Sequence, residues 1–261
     1  MTLQSKVALV TGSTSGIGFG VARALARDGA DIMMNGFGDA AEIEALRDGL
    51  AKEFSVRVAY NAADLMRPKE VAGLIAKTQA TFGNLDILVN NAGIQFVSPI
   101  EEFPDDKWDA ILALNLSAVF HAMKAAIPGM KANGWGRIIN IASAHGLVAS
   151  PYKVAYVAAK HGVVGATKVA ALELANDGIT VNAICPGWVL TPLVEQQLRD
   201  RANDAGTDVA SEVEKLLREK QPMLKFTSPA SVGSMAAYLC SDAAETITGS
   251  SISIDGGWVA Q

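Results

Sequence analysis

The sequence has few of the features that mark exported, membrane-spanning or nucleic-acid-binding proteins. Its 261 residues include two cysteines, Cys185 and Cys240, which lack metal-ligand spacing and are expected to be small buried side chains in a reducing compartment. No uninterrupted apolar run approaches the roughly 18 residues of a membrane span, and the first residues lack the pattern of a signal peptide. The formal net charge is −5 without a basic block, which disfavours nucleic acids and anionic membranes as partners. We therefore expect a cytoplasmic protein, and one without a metal site, because no histidine, cysteine and carboxylate side chains cluster at ligand spacing.

What the sequence does contain is a regular alternation of short apolar runs and longer helical patterns. Half of the residues are hydrophobic and 24 are glycine, which suffices for one large core with many tight turns. The apolar runs predict seven strands, at 6–10, 31–35, 56–62, 85–90, 136–143, 179–185 and 250–256. Helical patterns occupy 17–29, 40–54, 68–82, 105–131 and 151–175. This alternation predicts a single α/β domain over residues 1–261, with a doubly wound (Rossmann) parallel sheet covered on both faces.

One segment, residues 190–226, interrupts this alternation. It is charged, rich in glutamine and helical in pattern, and it lies between the sixth predicted strand and the next core helix. A surface insertion would have these properties. Open α/β sheets bind ligands beyond the carboxyl ends of their strands, however, so an insertion at this place is favoured as a substrate lid.

A glycine-rich turn follows the first strand and begins the first helix. Gly12, Gly16 and Gly18 lie in the run VALVTGSTSGIGFG, where backbone N–H groups and the helix dipole would bind a pyrophosphate. Glycine is needed where phosphates approach the backbone closely. The spacing differs from the common Gly-x-Gly-x-x-Gly fingerprint, but the strand–turn–helix context predicts a dinucleotide site.

The end of the second strand bears on the choice between NAD and NADP. Residues 35–38, with the sequence NGFG, stand there without the carboxylate that usually holds the ribose hydroxyls. Residues 11–22 and 31–45 contain no arginine or lysine to bind a 2′-phosphate, so NAD is favoured. Asp64, after the third strand, is placed either to accept a hydrogen bond from adenine or to act as an acid at a helix N-terminus.

The run SPYKVAYVAAKHG at 150–162 brings polar side chains into an apolar segment. Its serine and proline predict the N-cap and first position of a helix, which would place Lys153, Tyr156 and Lys160 on one face. The neighbours are apolar almost all round, so this helix is expected to be buried and its lysines paired. A phenol beside an ammonium has a lowered pKa and can take an alcohol proton while hydride leaves the carbon. Ser143, after the preceding strand, can hold the reacting oxygen.

These motifs, taken in order, resemble those of the short-chain dehydrogenase/reductase family over essentially the whole chain. They are Thr11-Gly12-x-x-x-Gly16-x-Gly18, Asn90-Asn91-Ala92-Gly93, Asn115, Ser143, Tyr156-x-x-x-Lys160 and Pro186-Gly187 followed by Thr191. The resemblance implies a catalytic tetrad of Asn115, Ser143, Tyr156 and Lys160, in which Asn115 positions a water in a proton relay and Lys160 also holds the nicotinamide ribose. It implies that the cofactor, for which NAD is favoured above, is bound by Gly12, Thr14, Ser15, Gly16, Ile17, Gly18, Phe37, Asp64, Leu65, Asn91, Gly93, Tyr156, Lys160, Pro186, Gly187, Val189 and Thr191.

The chain is similar in more detail to bacterial D-3-hydroxybutyrate dehydrogenases, in segments such as 35–38, 90–95, 137–150, 156–165 and 184–189. That resemblance implies reversible, NAD-dependent oxidation of D-3-hydroxybutyrate to acetoacetate. A small hydroxy acid brings one full charge into an apolar pocket, and Lys153 is placed to supply the opposite charge. The resemblance implies a substrate site of Gln95, Ser143, His145, Lys153, Tyr156, Trp188, Gln197 and Trp258, in which Gln95, His145, Lys153 and the lid residue Gln197 hold the carboxylate.

Three residues depart from that group. Phe96 stands where histidine is expected, Tyr152 where a small or amide residue is expected, and Leu190 where arginine is expected. None is a proposed ligand, but Phe96 and Tyr152 bear on the chain length of the substrate and Leu190 on closure of the lid. His121 and His161 are interpreted as structural.

Two other functions stay open at this point. A reductase of a larger ketone, such as a 3-oxoacyl thioester or a sugar, would share the fold, usually with NADPH and with basic residues that the STS run at 13–15 does not supply. A nucleotide-binding regulatory protein without turnover would not need the tyrosine–lysine pair. The helical patterns at 105–131 and 151–175 are apolar on more than one face, which suggests a subunit interface, and the family is commonly tetrameric.

Overall fold

The structure, a computed structural model, describes residues 3–260. Seven strands form one parallel sheet in the order β3-β2-β1-β4-β5-β6-β7, so the predicted doubly wound sheet is confirmed. All seven predicted strands are present. They are β1 (Val7–Val10), β2 (Asp31–Asn35), β3 (Val58–Asn61), β4 (Ile87–Asn90), β5 (Gly136–Ile141), β6 (Ile179–Pro186) and β7 (Ser251–Ile254).

Helices connect the strands and cover both faces of the sheet. In chain order they are α1 (Gly16–Arg27), α2 (Ala40–Phe54), α3 (Pro68–Phe82), α4 (Asp105–Leu112), α5 (Ala118–Asn133), α6 (Val154–Glu173), α7 (Pro192–Ala205), α8 (Val209–Arg218) and α9 (Pro229–Cys240). On one face α1 and α9 contribute Leu25 and Val232 to the core. On the other face α3, α5 and α6 contribute Leu74, Met123 and Val163. Because the central strands are buried on both sides, their sequences are continuous apolar runs, such as VALV in β1.

The long helical pattern predicted at 105–131 is interrupted by a π-helical turn at Ala113–Ser117. α4 ends before this turn and α5 begins after it. Asn115 lies in the middle of the turn and is buried. An extra residue in a helical turn changes the direction of the neighbouring side chains, and such turns are frequent at functional sites.

The predicted helix start at residues 150–151 is wrong. α6 begins at Val154, and Lys153 is its N-cap residue instead of a member of its first turn. Tyr152 has a φ of 67°, in the left-handed region, and its carbonyl accepts a 3.0 Å hydrogen bond from the N–H of Ser98. This contact with the loop after β4 outweighs the local preference of serine and proline for a helix start.

The outer faces of α5 and α6 are exposed in the single chain. Ala159 and Lys160 on the inner face of α6 are buried, whereas Val169 and Leu172 are 56% and 81% exposed. Phe120 on α5 is 52% exposed. The prediction that the helix around Tyr156 is buried all round is therefore wrong for the isolated chain, and the uncovered apolar side chains are those that suggested a subunit interface.

The helical stretch Asp105–Asn133 has the length and composition of a membrane-spanning helix, with a mean hydropathy of 1.6. The core helix of a folded domain passes the same test. In this fold the inner face of α5 packs Ala122, Ala126 and Met130 into the core beside the sheet. The apolar character of this stretch is thus explained in part by its place between the sheet and its neighbours.

The loops that follow the strands meet at the carboxyl edge of the sheet. The strand order changes direction between β1 and β4, and ligands bind beside such a switch point in open α/β sheets. The segment predicted as a lid, residues 190–226, contains α7 and α8. It leaves and rejoins the domain at neighbouring points, because Val189 and Thr227 form an isolated parallel bridge.

Candidate active site

The glycine turn after β1 has backbone conformations that favour glycine. Gly12 and Gly16 have φ values of 60° and 54°. A Cβ at Gly18 would lie 2.2 Å from the carbonyl oxygen of Gly12, so a larger residue would force the turn apart. α1 begins with no side-chain cap from Ser15 and no acid in its first turn, which leaves its N-terminal N–H groups to an anion. These features fit a pyrophosphate, and Ile17 packs behind them against the core.

Asn91 joins the glycine turn to the loop after β4. Its Nδ2 donates hydrogen bonds of 2.8 and 3.0 Å to the carbonyl oxygens of Thr11 and Gly12. Its backbone N–H donates to Thr11 Oγ1 at 2.9 Å. A Cβ at Gly93 would lie 3.2 Å from Asn115 Oδ1, so this loop passes closely over the π-helical turn. These contacts fix the loop across the switch point between β1 and β4.

Asn35, at the end of β2, uses its side chain within the protein. Its Nδ2 donates 3.1 Å hydrogen bonds to the carbonyl oxygens of Asn61 and Ala63. Its Oδ1 accepts a 3.4 Å hydrogen bond from the N–H of Gly12. The residue that stands near the place of the usual ribose-binding acid therefore ties the loops after β1 and β3 together.

The loop after β2 packs directly on the glycine turn. Thr14 Oγ1 donates a 2.9 Å hydrogen bond to the carbonyl of Phe37. Gly36 has a φ of 152°, and a Cβ there would lie 2.7 Å from Thr14 Oγ1. The Phe37 side chain is 67% exposed, at the open edge where the adenosine ribose is expected.

Asp64 acts as an acid at the start of a helix in this structure. Its Oδ1 accepts a 3.0 Å hydrogen bond from the N–H of Met66, and its Oδ2 lies 3.2 Å from Arg67 Nε. α3 begins immediately afterwards. Leu65 is 7% exposed and packs into the core. The contacts of Asp64 and Leu65 with adenine stay predictions.

Tyr156, Ser143 and Lys160 lie together beside the end of β5. Tyr156 is hydrogen-bonded to Ser143. Lys160 Nζ donates a 2.7 Å hydrogen bond to the carbonyl of Ile141 and lies 5.6 Å from the centre of the Tyr156 ring. Burial lowers the pKa of Lys160 to about 8 and raises that of Tyr156, and the hydrogen bond from Ser143 opposes the second effect. Three members of the predicted tetrad are therefore in one cluster.

Asn115, the fourth predicted member, holds the loop after β4. Its Oδ1 accepts a 2.9 Å hydrogen bond from the N–H of Ile94, and its Nδ2 donates a 2.8 Å hydrogen bond to the Ile94 carbonyl. Both ends of the side-chain amide are thus engaged with one backbone unit. The predicted role of Asn115 in positioning a water stays a prediction.

His145 lies between Tyr156 and Trp258, with ring centres 5.9 and 5.0 Å away. Its Nε2 is 2.9 Å from Ser150 Oγ. Burial, together with the positive charge of Lys153, lowers the pKa of His145 to about 4. The imidazole is therefore neutral at neutral pH and adds no positive charge to that of Lys153.

Lys153 and two tryptophans form the wall beside His145. Lys153 Nζ lies 5.0 Å from the centre of the Trp188 ring, and the Trp188 and Trp258 rings are 5.9 Å apart. Burial and the charge of Arg201 lower the pKa of Lys153, and Glu219 acts in the opposite sense. No ion pair joins Lys153 to a carboxylate within residues 3–260. A half-buried ammonium beside aromatic rings fits an anionic ligand.

The two glutamines predicted to bind the carboxylate are not joined to this cluster. Gln95 lies in the loop after β4 and Gln197 lies in α7, and both are exposed. In the described part of the chain, neither forms a hydrogen bond with His145 or Lys153. Their participation in binding the carboxylate stays a prediction.

The loop after β6 packs against the glycine turn. Gly187, which follows Pro186, donates its N–H to the carbonyl of Ile254 at 3.0 Å. Thr191 is the N-cap residue of α7, and its Cγ2 would lie 3.3 Å from a Cβ at Gly16. The residues predicted to contact the nicotinamide therefore stand next to those predicted to bind the pyrophosphate.

The three departures from the related group occupy different places. Phe96 makes an edge-to-face contact of 5.6 Å with Phe103 in a small core between α4 and α6. Tyr152 is 57% exposed and Leu190 is 38% exposed. Phe96 thus acts in packing, and the effect of Tyr152 and Leu190 on substrate size and lid closure stays a prediction.

Sequence reasoning missed Gln221, which is 1% exposed and lies between the loops after β6 and β7. It also missed Lys220, whose charge helps to lower the pKa of His145. Neither belongs to a recognisable motif, because both stand in the charged segment between α8 and α9. Only the folded position of that segment reveals them.

The described residues offer no grouping of metal ligands, since no three histidine, cysteine or acidic side chains within residues 3–260 are placed to hold an ion. Cys185 and Cys240 are free and buried, as predicted. Burial raises the pKa of their thiols to about 11 and about 12. Neither cysteine is therefore a reactive thiolate.

Comparisons with known proteins agree with this geometry. Residues 12–259 match a family model described as enoyl-(acyl carrier protein) reductase. The chain is 54% identical to a D-beta-hydroxybutyrate dehydrogenase of Rhizobium meliloti over 257 residues, which cover 98% of this chain and all of that protein. It is also 54% identical to a D-beta-hydroxybutyrate dehydrogenase of Cupriavidus necator, over 99% of this chain and all of that protein.

Solved structures with the same fold include reductases of other substrates. The L-sorbose reductase of Gluconobacter frateurii, complexed with NADPH and L-sorbose, has a TM-score of 0.95 and 32% identity, with full coverage of both chains. A variant of actinorhodin polyketide ketoreductase with NADPH has a TM-score of 0.90 and 34% identity, with 97% of each chain covered. The similarity to both structures covers at least 97% of this chain.

Proposed function

This chain belongs to the short-chain dehydrogenase/reductase family of oxidoreductases, and we propose that it oxidises D-3-hydroxybutyrate reversibly to acetoacetate with NAD as the hydride acceptor. The observation that carries the proposal is the position of Lys153. Its ammonium lies over the Trp188 ring, and it precedes Tyr156 by three residues at the start of α6. Residues three apart at the start of a helix are neighbours on one face. A cation beside the proposed base suits a substrate that carries its carboxylate close to its alcohol.

The neighbours of Lys153 support a small hydroxy acid. Trp188 and Trp258 limit the space beside the ammonium and provide apolar surface for a short carbon chain. His145 is neutral and hydrogen-bonded, so it adds a polar contact without a second positive charge. The Lys153 ammonium thus supplies a positive charge for the ligand carboxylate, and the neutral His145 adds none.

The reaction follows from the cluster beside β5. A nicotinamide cofactor would be held by the glycine turn and by Lys160, and when bound it would supply the acceptor for the hydride of the alcohol carbon. Tyr156 removes the hydroxyl proton, and Ser143, hydrogen-bonded to it, holds the reacting oxygen. Lys160 stabilises the phenolate with its ammonium, which is fixed by the Ile141 carbonyl. Asn115 holds the backbone of Ile94 and, as the resemblance implies, positions a water that returns the proton to solvent.

NAD is proposed over NADP because residues 11–22 and 31–45 contain no arginine or lysine to bind a 2′-phosphate. The loop after β2 lies against Thr14 and carries the exposed Phe37 at its edge. Asp39, two residues on, caps α2 by accepting from the N–H groups of Ala41 and Glu42. An acid at that position disfavours the extra phosphate charge.

Residues 190–226 are proposed to close over the substrate as a lid. Thr191 begins α7 against the glycine turn, so the base of this segment is coupled to the cofactor site. Closure would carry the exposed Gln197 towards Lys153 and the carboxylate. Water would then be excluded from the proton and hydride transfers.

A second candidate is reduction of a larger ketone, such as a 3-oxoacyl thioester or a sugar. It is favoured by the similarity to L-sorbose reductase and to the polyketide ketoreductase, and by the description of the matching family model. The ammonium of Lys153 argues against it, because a neutral substrate would leave that charge desolvated without a partner.

Initial rates with D-3-hydroxybutyrate, its L-enantiomer, NAD and NADP test the proposal. We expect turnover of the D-isomer with NAD and little with the other combinations. Lack of D-isomer turnover with NAD at millimolar concentration would contradict it. Turnover of 3-oxoacyl thioesters or sugars with NADPH in the same assays would favour the second candidate.

The chain is further proposed to act as a homotetramer in the cytoplasm, without membrane or nucleic-acid partners. The exposed apolar side chains of α5 and α6 support an interface formed by these two helices. The net charge of −5 supports the absence of polyanionic partners.

A further inference from the structure

Gln221 is a fully buried amide that joins three segments at the carboxyl edge of the sheet. Its side chain is 1% exposed. Its Oε1 accepts a 3.0 Å hydrogen bond from the N–H of Trp188, in the loop after β6. Its Nε2 donates to the carbonyl of Lys225, in the lid return, which we define as residues 219–227. Both ends of the amide are therefore in use.

The packing around this amide is close. A Cβ at Gly187 would lie 2.8 Å from Gln221 Oε1, and a Cβ at Gly256 would lie 2.6 Å from Gln221 Cγ. Glycine on both sides thus leaves space for this one side chain between the loops after β6 and β7. Trp188 belongs to the first of these loops and Trp258 to the second.

The backbone of the lid return is fixed at the same place. Gln221 donates its N–H to the carbonyl of Leu217, at the end of α8, and accepts from the N–H of Leu224. Met223 donates its N–H to the carbonyl of Gly256 at 3.0 Å. The side chain of Gln221 therefore extends from a hydrogen-bonded turn, and this turn fixes the position of the Trp188 N–H that bonds to it.

We propose that Gln221 is a positioning residue, which fixes Trp188, and with it the substrate side of the pocket, by joining the lid return to the loop after β6. The ring of Trp188 lies 5.0 Å from Lys153 Nζ and 5.9 Å from the Trp258 ring. A shift of the Trp188 backbone therefore moves the wall of the carboxylate site. Tyr156 and Lys160 are attached to α6 and do not depend on this bond. The inference rests on the proposed function only for the identity of the substrate.

The geometry predicts separate effects of Gln221 on substrate binding and on the chemical step. Gln221→Leu leaves the N–H of Trp188 and the carbonyl of Lys225 without partners. We expect KM for D-3-hydroxybutyrate to rise about tenfold, the loss associated with an unsatisfied buried donor. KM for NAD should change less than about twofold. The pH at which kcat falls on the acid side should stay the same, because Gln221 does not contact the proposed base.

Gln221→Glu separates hydrogen bonding from packing, since the two side chains have the same shape. A carboxylate accepts from Trp188 but repels the Lys225 carbonyl, whereas a protonated carboxyl group restores both bonds. We expect the ratio of its KM to that of the wild type to be high at pH 8 and to fall towards one as the pH is lowered through the pKa of the buried carboxyl. Gln196→Leu is the matched control, because Gln196 lies on the lid surface and bonds only to Asp200 in the described part of the chain.

Amide hydrogen exchange of the ligand-free protein gives a readout that is independent of the reaction. In Gln221→Leu the N–H of Trp188 should lose protection, whereas the neighbouring N–H of Gly187, bonded to Ile254, should keep it. Unchanged exchange at Trp188, or KM values for hydroxy acid and NAD that rise equally, would overturn the assignment of Gln221. If Gln221→Leu does not fold, the assignment would be overturned by Gln221→Glu instead, if the ratio of its KM to that of the wild type does not change with pH. Failure of the wild type to oxidise D-3-hydroxybutyrate would instead overturn the proposed function, and the exchange result would still decide the role of Gln221.

Discussion

Lys160 lies one helical turn beyond Tyr156, and its ammonium is 5.6 Å from the centre of the phenol ring. Burial acts on the two groups in opposite directions, since it lowers the pKa of Lys160 to about 8 and raises that of Tyr156. Burial thus favours the neutral phenol of Tyr156 and the neutral amine of Lys160 more than water would. The proposed role of Tyr156 as base therefore requires a further charge that favours the phenolate, such as that of an oxidised nicotinamide.

Removing the phenol oxygen tests the assignment of Tyr156 as base. Tyr156→Phe keeps the ring and removes the proton acceptor, so we expect kcat to fall by about 10²–10⁴-fold while NADH binding is retained. Initial rates and fluorescence titration with NADH measure the two effects. Tyr238→Phe, at a 45% exposed tyrosine on α9, is the matched control and should behave as the wild type. An unaltered rate in Tyr156→Phe would refute its role.

The fold could be predicted from the sequence because strand and helix patterns alternate regularly along the chain. Strands buried on both faces appear as continuous apolar runs, and seven of them alternate with helical patterns. The glycine turn was equally predictable, since Gly12, Gly16 and Gly18 meet steric demands that are local in the chain. Local rules therefore account for the sheet and the cofactor turn.

The parts that the sequence did not predict depend on distant contacts. The start of α6 is displaced to Val154 because Tyr152 bonds to Ser98 in another loop. Asn115, in the π-helical turn, bonds to Ile94 in the loop after β4. Gln221 bonds to Trp188, which is distant in the sequence and comes close only in the folded chain. Propensities and motifs contain no information on such pairings. Gln95 and Gln197 are exposed and apart from Lys153, which their places in the sequence did not indicate.

Replacing Lys153 tests the carboxylate site. Lys153→Ala should raise KM for D-3-hydroxybutyrate at least about 30-fold, since the loss of one partner of a desolvated charge pair costs about 2–5 kcal/mol. KM for NAD should stay near that of the wild type, because the side chain faces Trp188. Lys168→Ala, at an exposed position of the same helix, is the control. A hydroxybutyrate KM within twofold of the wild type would remove Lys153 from the site.

His145 predicts a stability change in mildly acidic solution. Its pKa is about 4 in the folded protein, whereas an unperturbed histidine, as in the unfolded chain, has a pKa of 6.5. The unfolded chain therefore binds the proton first as the pH falls. The stabilising effect of the neutral imidazole is fully present above pH 6.5 and is lost progressively down to pH 4. Between pH 7.5 and pH 5 the loss amounts to about 2 kcal/mol.

Urea unfolding of the wild type and of His145→Gln at both pH values measures this contribution. The fall in the free energy of unfolding should be about 2 kcal/mol smaller in the variant, because glutamine does not titrate. His121→Gln is the control at a second histidine. An equal fall in the wild type and in His145→Gln would show that the imidazole is not held neutral by the fold.

Phe37 offers a test of cofactor choice. Its side chain is 67% exposed at the edge of the loop after β2, where a 2′-phosphate would be met. Phe37→Arg should raise kcat/KM for NADP about tenfold, as expected for a hydrogen bond to a charged group, with little change for NAD. Val209→Arg, at an exposed apolar residue of α8, is the control for added charge. An unchanged ratio of the two cofactors would place the ribose elsewhere than beside Phe37.

The uncovered faces of α5 and α6 predict the assembly state. Leu172 is 81% exposed and Val169 is 56% exposed in the single chain, and apolar side chains grouped on one helix face in this way mark a protein–protein contact. Size-exclusion chromatography with light scattering should give about four times the chain mass of 27.3 kDa for the wild type. Leu172→Glu should lower this mass, because a carboxylate in an apolar interface is desolvated without a partner. Val209→Glu, at the start of α8, should leave the mass unchanged. A wild type that elutes as a monomer, or a Leu172→Glu variant with unchanged mass, would contradict an interface at this face of α6.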